Sequence, residues 1–169
     1  MSRAIASLIA ALAVVPSAVL AQGGPRAAEP SAPSGIVVTA DLGGGGSIGA
    51  GSQYTKSGVF ENEIGVGYEL PWGLRPEFDL VLGLAPTGNV ALRPGLHYAL
   101  PDVPFYVRAA LDWSTVRGAG GWRWLLAGGG AELRLTDVLG GFVEADLGIP
   151  LASEVGVGTL VRAGVSLRF

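Results

Sequence analysis

From residue 35 to the end of the sequence, apolar and polar residues alternate with a period of two. That is the spacing of a strand whose two faces meet different surroundings. Pro, Gly and Asp clusters break the alternation into eight runs, at 35–44, 57–69, 76–85, 89–99, 104–114, 122–135, 141–149 and 157–169. A helical period of 3.6 dominates none of them. In the third run Phe78, Leu80, Leu82 and Leu84 share one face, opposite Glu77, Asp79, Val81 and Gly83. In the fifth, Phe105, Val107, Ala109, Leu111 and Trp113 oppose Tyr106, Arg108, Ala110 and Asp112. The sixth sets Leu125, Ala127, Gly129, Ala131, Leu133 and Leu135 against Leu126, Gly128, Gly130, Glu132 and Arg134. The seventh sets Val143, Ala145, Leu147 and Ile149 against Glu144, Asp146 and Gly148. The last run, "VRAGVSLRF", has Val161, Ala163, Val165, Leu167 and Phe169 on one side and Arg162, Gly164, Ser166 and Arg168 on the other.

Eight amphipathic strands fit two barrels. A soluble ligand-binding barrel buries the apolar face, whereas a membrane barrel turns it to lipid and keeps the charges inside. Small residues separate the two. Gly65, Gly67, Gly83, Gly95, Gly128, Gly130, Gly148 and Gly164 all lie on the charged face. The interior of an eight-stranded barrel is so narrow that side chains fill it, and glycines there make room for long neighbours. On a wetted surface the same glycines weaken strands without accommodating anything. Charge type agrees: Lys56 is the only lysine, and arginine, whose planar fork satisfies buried carboxylates, dominates. Tyr68, Phe78, Tyr98, Phe105 and Phe169 fall on the apolar side near compact turns or the terminus, where one interfacial girdle belongs, with Trp113 and Trp124 marking the other. Asn62 and Arg123 also fall on the lipid side and require an interfacial depth. Pro94, lacking an N–H inside the fourth run, predicts a bulge.

Ahead of these runs, "MSR" and the apolar stretch "AIASLIAALAVVPSAVLA" read as an export signal over 1–21, with small residues Val19 and Ala21 at the cleavage point. A retained transmembrane helix is the alternative. The Pro/Ala/Ser-rich segment 22–34 reads as a linker, and 35–169 as one β-barrel domain. A net charge of −3 provides no basic patch for nucleic acid. With no cysteine and one histidine, disulfides, thiolate chemistry and multi-histidine metal sites are excluded, and no cofactor is expected.

The signal, the eight amphipathic runs, the alternation of compact turns ("LPWGL", "LPDV") with glycine-rich connections ("GGGGSIGAGSQYTKSG", "STVRGAGG") and the terminal "VSLRF" resemble the small eight-stranded outer-membrane β-barrels of Gram-negative bacteria, the OmpA-like and OmpX-like families. The resemblance spans Gly35 to Phe169. It implies an all-β, antiparallel, up-and-down barrel in the outer membrane. It also implies that Val165, Leu167 and Phe169 form the signal read by the barrel-assembly machinery.

Three carboxylate pairs, Glu61/Glu63, Glu77/Asp79 and Glu144/Asp146, invite an acid–base reading. Each pair shares a strand face with arginines, and buried charges are retained when paired. The expectation is therefore a lumen ion network of Glu61, Glu63, Glu77, Asp79, Arg93, His97, Arg108, Asp112, Glu132, Arg134, Glu144, Asp146, Arg162 and Arg168. His97 has only Gly95 and Ala99 as same-face neighbours, so no local triad is legible. "GGGGS" is not followed by the Gly-Lys-Ser/Thr of a phosphate loop. The function expected is a non-enzymatic structural or interaction protein, a monomer whose partners are lipid and the assembly machinery. A narrow channel or transporter and a secreted ligand-binding barrel are the alternatives.

Overall fold

A computed structural model describes residues 34–48, 59–85, 88–115, 120–153 and 155–169. The export signal, most of the linker and Lys56 lie outside the described residues. Eight strands follow in order: β1 (Gly35–Ile48), β2 (Val59–Glu69), β3 (Leu74–Ala85), β4 (Asn89–Ala99), β5 (Phe105–Ser114), β6 (Gly121–Arg134), β7 (Leu139–Pro150) and β8 (Val157–Arg168). Each pairs antiparallel with its neighbour, and β8 pairs with β1 to close a barrel. Following paired residues from Val37 through Gly67, Glu77, Gly95, Ala110, Leu126, Gly148 and Gly158 leads back to β1 at Ser47, ten positions on. Such a stagger tilts the strands by about 35–45°. Three short turns, together with the start of β1 and the end of β8, make one end of the barrel, the short-turn end. The other is the loop end.

The side assignment is decided by accessibility along single strands. In β3, Val81 is 1% exposed and Leu82 39% exposed, and the same alternation runs round the wall. Tyr68, Phe78, Phe105, Val165, Leu167 and Phe169 are exposed on the outside. An unbroken apolar exterior of this extent is a lipid-facing surface rather than a wetted one. Asn62 sits on that exterior without an unsatisfied amide, because its Nδ2 donates to the backbone carbonyl of Asp41 at 2.9 Å.

Three expectations are corrected. β1 does not stop at residue 44: "GGGGSI" continues the strand, with Gly45 pairing both Val59 and Leu160. These glycines are strand residues because space demands it. A Cβ at Gly43 would stand 2.5 Å from Arg162 Cγ, and one at Gly45 would strike the Thr159 carbonyl. Pro94 makes no bulge, since β4 keeps one register with β5 on either side of it, from Leu92↔Trp113 to Gly95↔Ala110. The missing N–H leaves a gap in the ladder instead, bridged by the facing side chains of Arg93 and Asp112. The third correction concerns β6. A bulge sets Asp112↔Trp124 beside Trp113↔Trp122, leaving Arg123 as the extra residue. That insertion reverses the inside–outside order. Trp122 joins Trp113 on the exterior and Arg123 reaches inward to Asp112, whereas Trp124, beyond the bulge and on the parity of Leu126 and Gly128, faces the lumen rather than the lipid.

Candidate functional site: the lumen

The lumen is organised round three arginines. Arg93 from β4 forks onto Glu61, with Nη1 and Nη2 donating to its two oxygens at 2.5 and 2.9 Å. It also donates to Glu63 at 2.5 Å and, through Nε, to Asp112 at 2.8 Å. Arg108 from β5 donates to Glu77 and Asp79 of β3, to Glu63 at 3.3 Å and to Glu144 at 3.2 Å. Arg162 from β8 donates to Glu63 and Glu144, and to Asp146 at 2.5 Å. Glu63 thus receives all three guanidinium groups. The pairings tie β2, β3, β4, β5, β7 and β8 together through the barrel's middle. Their side chains are 2–4% exposed. At that burial a guanidinium is stable only because carboxylates surround it, although Arg162 Nε has no hydrogen-bond partner among the described residues.

Nearer the short-turn end the packing loosens. Arg168 donates to Glu132 at 2.8 Å, to Ser166 at 3.2 Å and to Glu69 at 3.3 Å, and Ser166 donates to Glu132. Arg134 does not share the interior as the alternation predicts. Its side chain is 41% exposed at the rim, 3.8 Å from Glu69. The strand ends there, so the guanidinium reaches water.

His97 lies in the lumen with its ring 4.2 Å from that of Tyr106, between centroids. Neither ring nitrogen has a hydrogen-bond partner among the described residues. Tyr106 itself donates to Glu144 at 2.8 Å. No serine or carboxylate is therefore set to use the imidazole as a base. Among the described residues no group of His, Asp and Glu has the arrangement of a metal site. The cavity beside His97 has room for one or two waters.

Several lumen residues are missing from the sequence-based set. Asp41, Glu69, Arg75, Tyr106 and Arg123 are all oriented inward. Arg75 precedes the boundary drawn for its run, and it donates to Glu77 at 3.1 Å. Asp41, Glu69 and Tyr106 follow the period-two parity and were accessible to it. Arg123 was not, because only the bulge turns it in. With these added, the carboxylates of Asp41, Glu61, Glu63, Glu69, Glu77, Asp79, Asp112, Glu132, Glu144 and Asp146 number ten. The lumen arginines, at 75, 93, 108, 123, 162 and 168, number six, with Arg134 at the rim. Among the described residues the lumen carries a surplus of acid.

No protein-family model and no curated protein matches the chain. Solved structures do. Neisserial surface protein A is 16% identical, with a TM-score of 0.55 over 80% of this chain and 98% of that one. The N-terminal β-barrel domain of Pseudomonas aeruginosa OprF is 14% identical, with a TM-score of 0.58 over 81% of this chain and all of that one (100%). A de novo designed transmembrane β-barrel is 16% identical, with a TM-score of 0.53 over 83% and 98%. Identities of this size speak for architecture alone. With its apolar exterior and ionic interior, the chain has the fold of the small eight-stranded outer-membrane β-barrels.

Proposed function

We propose that this chain is an exported, monomeric outer-membrane protein with a structural or interaction role, whose lumen is a packed ion network rather than a conduit or an active site. The observation that carries the reading is the centre of the barrel. Arg93, Arg108 and Arg162 occupy it with their carboxylates, and the cavity beside Arg108 and Arg162 has room for only one or two waters. Export with removal of residues 1–21 fits the apolar stretch that follows the basic start of the sequence. The test has two arms. The protein should fractionate with the outer membrane and migrate as a heat-modifiable band. Reconstituted in planar bilayers it should show no stable openings. Recovery as a detergent-independent soluble monomer would overturn the membrane reading, and long-lived single-channel steps would establish the channel alternative.

The exterior residues Val165, Leu167 and Phe169 form the assembly signal in this reading. They lie outward on the strand that closes the barrel, with Phe169 74% exposed. Deleting Phe169 should leave folding into lipid vesicles nearly unchanged and lower the amount assembled in cells. Normal cellular assembly of the deletion refutes the role.

A further inference from the structure

The loop end of the lumen carries a line of contacts that the ion network does not require. Trp124 points inward from β6, and its indole lies across two glycines of neighbouring strands. A Cβ at Gly148 would stand 3.0 Å from Trp124 Cδ1, and one at Gly158 would stand 3.4 Å from Nε1. A side chain at Gly148 would press on the ring, whereas a Cβ at Gly158 would only touch it. Nε1 donates to the Gly156 carbonyl, just ahead of β8, at 2.9 Å. On its other side the indole carries Arg123, whose guanidinium carbon is 4.7 Å from the ring centroid. Arg123 is clamped on Asp112 at 2.8–2.9 Å, and Asp112 holds Arg93. The line therefore crosses the mouth from the approach to β8, through β6, β5 and β4, to Glu61 on β2. Leu126 and Leu160, both buried, lie beneath the ring on the lumen side.

We propose that Trp124 is the seal of the lumen's loop end, and that without it water and small cations, in preference to anions, reach the buried position of Leu126. The seal follows from the seat. A flat ring, fixed at its edge by a hydrogen bond and on its face by a clamped cation, covers an opening that two glycines leave bare. The preference follows from the ten carboxylates and six arginines of the lumen. The proposal rests on the reading of a closed, membrane-embedded barrel.

The chain has no cysteine, so Leu126→Cys places a unique thiol under the ring. Folded protein in vesicles is exposed to two membrane-impermeant methanethiosulfonates of similar size, one cationic and one anionic. With Trp124 in place, labelling should be slow with either. Adding Trp124→Ala should accelerate the cationic reagent at least tenfold, and the anionic one less. Trp124→Phe keeps the ring but loses the bond to Gly156, and should fall between. Heat modifiability establishes that each variant is folded. For any variant that fails to fold, labelling is repeated on Trp124→Phe, where acceleration is again required. Fast labelling with Trp124 intact overturns the closed-lumen reading itself. Slow labelling in every folded variant overturns only the role of Trp124, and equal acceleration of both reagents overturns the cation preference.

Discussion

The middle of the lumen and its short-turn rim use the same side chains under different rules. In the middle, Arg108 meets Glu63, Glu77, Asp79 and Glu144 with 4% of its side chain exposed. At the rim, Arg134 is 3.8 Å from Glu69 with 41% exposed. Water can solvate the second guanidinium freely when its partner moves away, whereas the cavity beside the first holds one or two waters at most. The central pairs are thus obligatory, since losing one member strands the others in a dry interior. The rim pair adds little, because screening and side-chain entropy absorb its attraction. Identical chemistry thereby yields a scaffold in one place and a wetted surface in the other.

Three substitutions grade this contrast. Arg108→Ala takes one guanidinium from four carboxylates, leaves Asp79 without an arginine among the described residues, and should cost about 3–5 kcal/mol, read as a lower urea midpoint for unfolding from lipid bilayers. A loss below about 1 kcal/mol would mean that water reaches the centre. Gly65→Ala probes the same region by volume. Its Cβ would strike Asp79 Oδ1 and Thr39 Oγ1, so a destabilisation of about 1–3 kcal/mol is expected in the same assay. A neutral result would show the centre to be loosely packed. Arg134→Ala should change stability by less than about 1 kcal/mol, and that small change should vanish in high salt. A large, salt-insensitive effect would move Arg134 into the obligatory set and erase the distinction.

What the sequence made legible follows from the period of two. Wherever a strand is unbroken, parity alone assigns its sides, as in β3, β5, β7 and β8. Where the backbone inserts a residue, parity misleads. Trp122 and Arg123 exchange faces at the β5–β6 bulge, and nothing in the alternation marks the insertion, whereas Trp124 keeps the parity of Leu126. Composition misleads in β1 in a different way. Four consecutive glycines look like a loop, yet Gly43 and Gly45 are strand residues held to glycine by Arg162 and Thr159. Partner choice within the lumen was out of reach as well. Which carboxylate meets which arginine depends on the stagger that carries Val37 round to Ser47.

The closing seam sets this barrel's order of events. Seven of its eight strand pairs join neighbours in the chain, so each can form as a local hairpin. The eighth joins Val37 to Arg168 and Ile48 to Val157, partners 131 and 109 positions apart. Loop-closure entropy is highest there, and the transition to a closed wall is the slow, high-contact-order step. Until it occurs, β1 and β8 are both open edges able to pair with another chain. A nascent barrel of this kind is therefore exposed to misassembly until its last twelve residues arrive, and a chain that ends early has no partner to offer β1.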